Sequence, residues 1–392
     1  MPLRVAILTA ELREHEKDYG NPKPGFGTPL EALFVGFAQM PEVEVHVVSC
    51  TQEPLSSPRK LADNIFLHCL HVPKIGWMRT GYQGCIRAVR KKLREVQPDI
   101  VHGQGTERDC AINAVLSGFP NVLTIHGIMQ EQARLLRSRP GSFHWLAARL
   151  EDFTLHRTAG VFCNSAYTEA CIRPRTARTW RVANPLRAPF FESVPSVRKT
   201  VPLVLLNVGE ICLRKRQNEL IQSVLALREK GVPLELYFAG NVSPDKPYGA
   251  KFLELVKTHQ SFVKYLGKKT TAELISLFDN VAALVHVPSE ESFGLVVAEA
   301  LTRNLKLFAF HVGGIPDIAA GLDGVDLIQD GEWDELNKAI VRWVQAGCYQ
   351  PTAAARIMRE RYHPRVIAQE HLDIYRQVLS KIAETKQSGK PA

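Results

Sequence analysis

Apolar positions along the chain fall into short near-continuous runs, separated by stretches in which every third or fourth residue is apolar. The runs predict strands at Leu3–Thr9, Val43–Ser49, Ile65–Val72, Asp99–Gly103, Val122–His126, Val161–Asn164 and Thr179–Val182. The intervening stretches predict helices at Thr28–Gln39, Tyr82–Val96, Arg108–Leu116, Phe143–His156 and Thr168–Ile172. The alternation restarts at Pro202–Gly209 and continues through strands at Leu234–Ala239, Val263–Leu266, Ala282–Val287, Leu307–Phe310 and Val325–Ile328. Apolar strands alternating with amphipathic helices are what a parallel sheet covered on both faces requires, so the fold class is α/β. Between the halves, Pro189 to Thr200 carries Pro, Ser and charge without periodicity and reads as a hinge. After Pro351 the chain turns helical again and ends in a long helix at Val366–Ile382.

This pattern predicts two doubly wound Rossmann-like domains, residues 1–195 and 196–365. Residues 366–392 form a closing helix and tail expected to pack back toward the first domain. Two such halves joined by a hinge place a ligand cleft between them, facing the carboxyl ends of both sheets. A length of 392 residues agrees, being too long for one ordinary core.

Composition narrows the class further. Hydrophobic content of 45% and charged content of 23% are those of a soluble globular protein, and no apolar stretch has the length of a membrane span. Residues 1–10 read as a first strand rather than a secretory leader. The eight cysteines are scattered without Cys-x-x-Cys spacing, which predicts reduced thiols in a cytoplasmic protein. The net charge is +9; residues 1–195, with 24 Lys and Arg against 18 Asp and Glu, carry +6 of it, much of that excess in three clusters around Arg79–Arg94, Arg134–Arg139 and Arg173–Arg187. Such patches suit anionic partners, including an acidic membrane surface. They lack the interleaved aromatics of single-strand nucleic-acid binders, so no nucleic-acid partner is expected. His68-Cys69-Leu70-His71 alternates along a strand, which sends its ligand atoms to both faces and argues for structure over metal binding. Trp77-Met78 and the basic helix after it allow two readings, an interfacial membrane anchor or an ordinary sheet-covering helix.

The most telling chemistry lies in Pro288 to Leu301. A buried strand ends at Pro288-Ser289, and Phe293-Gly294 opens a helix whose first-turn N–H groups face any ligand at that point. Glu299 sits among Val296, Val297, Ala298, Ala300 and Leu301, where a carboxylate needs hydrogen-bond donors that a ligand's hydroxyls could supply. Together with Glu291, it describes a site for a nucleotide sugar. Upstream, Gly209 empties a strand into three adjacent cations, Arg214, Lys215 and Arg216, suited to phosphate. His126 stands at a strand's carboxyl end, and Pro24-Gly25-Phe26-Gly27-Thr28 joins a strand to a helix as phosphate-approaching loops do.

These residues resemble the retaining nucleotide-sugar glycosyltransferases of family 4, which have the GT-B fold. The resemblance rests on Glu291-x-Phe293-Gly294-Leu295 with Glu299, Pro288-Ser289, Val312-Gly313-Gly314-Ile315-Pro316, Val208-Gly209…Lys215, Ala239-Gly240, Leu266-Gly267 and Thr124-Ile125-His126-Gly127. It spans nearly the whole chain and is strongest in the second half. It implies that Glu291 contacts the donor sugar, Glu299 the ribose, and Phe293, Gly294 and Leu295 the sugar and phosphate. Lys215 would neutralise the diphosphate, Leu266-Gly267 receive the base, and His126 sit by the transferred sugar. The Gly25–Gly27 loop would cover the phosphates. The resemblance also implies metal-independent catalysis with no permanently bound cofactor, and a UDP- or GDP-sugar donor. The acceptor would be a glycan, lipid-linked or small-molecule hydroxyl, in glycan, glycolipid or cell-surface polysaccharide synthesis; the expected location is cytoplasmic, and the basic clusters allow peripheral association with the inner face of the membrane.

Three positions depart from the family pattern. Glu210 replaces the Arg usual after the Val-Gly motif, so Arg214 or Arg216 must substitute or phosphate binding weakens. Asn304 and Lys306 stand where a glycine and a proline are usual, and Asp317 replaces a glutamate. Glu210 keeps a rival reading open, that of a catalytically inactive binding module. A nucleotide-sugar epimerase or a phosphorylase on the same fold is a further alternative.

Overall fold

The computed structural model describes residues 2–192 and 203–387. Residues 193–200 of the expected hinge lie outside the described residues, as do the expected 195/196 boundary, the first residue of the strand expected from Pro202 and the last five of the expected tail. The chain divides into two compact units, Met1–Pro185 with Tyr362–Ala392, and Leu186–Arg361.

The first unit is built on an eight-stranded sheet. Its strands are β1 (Leu3–Leu8), β2 (Val43–Thr51), β3 (Lys60–Ala62), β4 (Ile65–His71), β5 (Ile100–Gln104), β6 (Asn121–Ile125), β7 (Val161–Cys163) and β8 (Thr179–Arg181). Their order is β3-β4-β2-β1-β5-β6-β7-β8, parallel except for the β3–β4 pair. One layer of core, with Val5, Ile7, Val45 and Val47 from the strands, packs beneath the helix Thr28–Phe37 and the closing helix Pro364–Gln387. Ile367, Ala368, Leu372 and Tyr375 are the closing helix's contribution to that core. On the opposite layer, Cys85, Ile86, Val89 and Leu93 of the helix Gln83–Val96 are buried with Ala6, Leu8 and Val48.

That packing decides between the two readings of the Trp77 segment. Trp77 is buried and its indole N–H donates to the Val72 carbonyl at 2.8 Å, so the helix is a sheet-covering one. His68 stacks on His46, with ring nitrogens 2.9 Å apart, in a structural role. All eight cysteines are free thiols.

The second unit carries a six-stranded, wholly parallel sheet. Its strands are β9 (Leu203–Val208), β10 (Leu234–Ala239), β11 (Val263–Tyr265), β12 (Ala283–His286), β13 (Lys306–Phe310) and β14 (Val325–Ile328). The order β11-β10-β9-β12-β13-β14 is the doubly wound arrangement, with helices on both faces. Every strand expected from the apolar runs is present within a few residues of its expected ends. Among the described residues, β3, the helix Leu12–Glu16, the helix Met129–Leu135 and the single 3-10 turns were not foreseen. All are too short for an apolar run or a repeated helical period to announce them. The turn at Asn304 survives in left-handed geometry (φ 50°), as asparagine permits. Its side-chain oxygen accepts a hydrogen bond from the Ala355 N–H at 2.7 Å.

Candidate active site

In the second unit the chain leaves β9 toward β10 on one side and leaves β12 toward β13 on the other. The two strands are neighbours, so their carboxyl ends form a topological switch point where the loops diverge and leave a crevice. The loop after β9 holds Gly209 to Arg216, and the loop after β12 holds Val287 to Gly294.

These loops bring Lys215 and Glu291 together. The Lys215 ammonium lies 2.5 Å from Glu291 Oε2, and the His286 Nε2 lies 3.2 Å from the same oxygen. His286 is buried, and desolvation pushes its pKa down, so the ring is neutral and Nε2–H donates. Burial by itself would raise the Glu291 pKa. The hydrogen bond from His286 and the Lys215 charge outweigh it and hold the carboxyl well below the usual range. The Lys215 stem passes over Gly209, where a side chain would be 3.9 Å from its Cε. Phe293 is buried, Gly294 takes φ 103°, a conformation side chains resist, and Leu295 begins the helix Leu295–Leu301.

The neighbouring cations are placed differently from one another. Arg216 pairs with Asp330, while Arg214 is exposed and donates to the Glu290 carbonyl at 3.0 Å. Of the two residues expected to offset Glu210, Arg214 is therefore the one without a carboxylate partner among the described residues. Beside Gly209 opens a cavity of about 470 Å³, lined among others by Glu210, Gly240, Lys268, Lys269 and Leu274. That size suits a nucleoside or sugar. Leu266 and Gly267 lie just before the lining lysines; Leu266 N–H donates to the Phe238 carbonyl, and the Gly267 carbonyl accepts from Gly240 N–H.

Glu299 is 3% exposed, as its apolar neighbours in sequence require. The donor it needs comes from the protein itself, which the sequence reading did not foresee. Arg187 Nε donates to its Oε1 at 2.8 Å, and Arg187 Nη1 donates to Thr271 Oγ1 at 2.8 Å. Burial raises the Glu299 pKa while Arg187 pulls it back.

The remaining candidates belong to the first unit. His126 follows β6, and its Nε2 lies 3.0 Å from Gln104 Oε1 at the end of β5. Burial pushes its pKa down, so it is neutral near pH 7. The Gly25–Gly27 loop lies between β1 and the helix Thr28–Phe37, and two of its three backbone donors are engaged by side chains. Gly25 N–H donates to Glu11 Oε1 at 2.8 Å, and Phe26 N–H donates to Glu31 Oε1 at 2.9 Å. Two carboxylates thus hold the loop, and in this arrangement neither N–H can bind phosphate.

Sequence reasoning missed Arg187, His286, Lys268, Lys269 and Glu107. Of these, His286 and Glu107 carried a signal of the kind that singled out His126, a chemistry-bearing residue at or just past a strand's carboxyl end. Among the described residues, Glu107 Oε2 is buried without a hydrogen-bond partner, and its charge acts on His126. Among the described residues, Cys50, Cys85 and Asp109 bring metal-capable atoms within 4.8 Å of one another, apart from the candidate residues. No described helix is long and apolar enough to cross a membrane.

Residues 191–361 match the family model for glycosyl transferases group 1, and residues 35–182 match that for glycosyltransferase family 4. No curated protein sequence matches the chain. Among solved structures, a sucrose-phosphate synthase from Thermosynechococcus elongatus is 16% identical, with a TM-score of 0.74 over 97% of this chain and 100% of its own. Anabaena HepE in complex with UDP-glucose is 15% identical, with a TM-score of 0.66 over 97% and 100%. The lipopolysaccharide outer core galactosyltransferase WaaB, in its apo form, is 15% identical, with a TM-score of 0.70 over 96% and 100%. At such identities the likeness is one of fold. The two family matches follow one another along the chain, and both sheets have the strand order that the fold demands. The chain belongs to the family 4-like glycosyltransferases of GT-B fold.

Proposed function

We propose that this glycosyltransferase moves a sugar from a UDP- or GDP-sugar to a hydroxyl acceptor with retention of configuration and without a bound metal. The observation that carries the reading is the Lys215–Glu291–His286 cluster at the switch point, beside a cavity of nucleoside size. A diphosphate offers Lys215 more negative charge than one carboxylate does, so the entering donor would take the ammonium from Glu291. Glu291, kept ionised by His286, then accepts from the donor's sugar hydroxyls. Lys215 and Arg214 stabilise the charge that grows on the leaving diphosphate, which is preorganised electrostatic catalysis. The donor phosphate helps to take the acceptor proton as the acceptor attacks from the same face. Glu299 holds the ribose, Phe293, Gly294 and Leu295 lend backbone N–H groups, and the segment after Leu266-Gly267 receives the base. His126, neutral, serves the transferred sugar. HepE in complex with UDP-glucose and the galactosyltransferase WaaB favour a nucleotide-sugar donor and a glycan or glycolipid product. The basic clusters fit work at the cytoplasmic face of a membrane.

The test is nucleotide release from UDP-, GDP- and ADP-sugars, with donor affinity followed by calorimetry. Release from at least one donor and loss of binding in Glu299→Ala are expected; unchanged affinity in that variant overturns the assignment. Glu210 favours a second reading, because a carboxylate lines the cavity where the family pattern has an arginine. An inactive binding module would release no nucleotide from any donor.

A further inference from the structure

The proposed donor site places a carboxylate, Glu299, in a setting that opposes its ionisation. It is 3% exposed and flanked by Val297, Ala298, Ala300 and Leu301, all fully buried. A protonated glutamate would offer a ligand one acceptor fewer and no charge. Arg187 answers this with a fixed geometry. Its Nε lies 2.8 Å from Glu299 Oε1, its Nη1 lies 2.8 Å from Thr271 Oγ1, and its guanidinium sits 4.9 Å from the centre of the Phe190 ring. Three anchors hold one planar group, so the carboxylate's orientation is set along with its charge. Of the elements packed against the helix Leu295–Leu301, β12 carries His286, which is bound to Glu291, β13 carries Lys306, which pairs with Asp326, and the helix Ile315–Ala319 carries Asp317. On the helix Thr271–Asn280, which supplies Thr271, the charges are engaged elsewhere. Glu273 caps its own helix through Thr270 and pairs with Lys269, while Asp279 pairs with Arg303.

We propose that Arg187 is a positioning residue for donor binding: it keeps Glu299 ionised and turns Oε2 toward the donor's ribose hydroxyls. The inference rests on the donor-site reading of Glu299. Arg187 acts through Glu299 and touches no reacting atom. The pair is therefore a device of this chain, and it couples donor affinity to the protonation of one buried carboxyl. Without Arg187, burial acts on Glu299 unopposed, and its carboxyl would hold its proton to higher pH.

The experiment measures UDP and GDP affinity by calorimetry from pH 5.5 to 8.5 for the wild-type chain, Arg187→Met, Arg187→Lys and Glu299→Gln. The expected result for Arg187→Met is roughly tenfold weaker binding at pH 6, recovering as pH rises. Arg187→Lys should retain most of the affinity with a flat profile. A loss that is equal at every pH, or no loss, overturns the proposal. Carbon-13 NMR of the labelled glutamate carboxyls, with Glu299 identified by its absence in Glu299→Gln, reads the same carboxyl without nucleotide. Its midpoint should rise in Arg187→Met, and an unmoved midpoint also overturns the proposal. If the wild-type chain binds neither nucleotide while the carboxyl midpoint moves, the donor reading fails and the effect of Arg187 on Glu299 stands. Should Arg187→Met not fold, Arg187→Gln removes the charge with a polar side chain and carries the same two readouts.

Discussion

Gly313 offers a clean test of how the loop that carries Glu291 is held. It takes φ 56°, and a side chain there would overlap the Glu291 carbonyl, with Cβ only 2.7 Å from the carbonyl carbon. The next N–H, of Gly314, donates to that same Glu291 oxygen at 3.1 Å. Gly313 thus lets two loops touch backbone to backbone, and the contact fixes where Glu291 begins. Gly331 is the control, at φ 84° with nothing within 4 Å of an added Cβ. Alanine in left-handed geometry costs about 1 kcal/mol, and this is all that Gly331→Ala should lose. Gly313→Ala adds the displacement of the Glu291 backbone, for a total of about 3 kcal/mol. At roughly 2–4 °C per kcal/mol, the melting temperature should fall by about 2–4 °C in Gly331→Ala and about 6–12 °C in Gly313→Ala. Thermal unfolding gives the first readout, and nucleotide calorimetry on the folded protein gives the second. Gly313→Ala should also weaken nucleotide binding, while Gly331→Ala should not. Equal melting shifts with intact binding in both would show that the close approach does not position Glu291.

Two further outcomes follow from the charges. Lys306 is fully buried and pairs with Asp326, over the rings of Phe308 and Tyr349, whereas the Asp326 side chain is one-third exposed. Removing the acid should cost more than removing the base: Asp326→Ala strands a buried ammonium and should lose about 3 kcal/mol or more, while Lys306→Met should lose under about 1.5 kcal/mol, read by urea unfolding. The reverse order would refute this account of the pair. For Glu291 the folded pKa is depressed, so its stabilisation is present above the unfolded value, near 4.3, and is lost as pH falls toward the folded value. Between pH 3 and 4, Glu291→Gln should flatten the dependence of unfolding free energy on pH by up to about 1.4 kcal/mol per unit, and an unchanged slope would remove Glu291 from the acid response.

The elements of this protein were legible where physics is local. The runs Leu203–Val208 and Ala283–His286 can be read as buried parallel strands because both faces must be apolar. Gly294 and Glu299 stood out because one relaxes the backbone and the other is a charge among apolar neighbours. What could not be read were elements held by distant side chains. The helix Leu12–Glu16 has five residues, and buried Arg13 there donates to the carbonyls of Asn21 and Ser56. Arg187 belonged to a basic cluster in the sequence, and nothing local marked it as the partner of a glutamate 112 positions away.

The sequence by itself determined the alternation of strand and helix, the second unit's loops, and which residue types could meet a nucleotide sugar. Periodicity, burial and backbone freedom depend on near neighbours, so they survive in a linear reading. Only the tertiary structure decided which charges are engaged. It placed Lys215 and His286 on Glu291, turned Arg216 to Asp330, gave Arg187 to Glu299, and spent the Gly25 and Phe26 N–H groups on carboxylates. Such pairings are set by strand order and loop geometry, which bring together residues far apart along the chain.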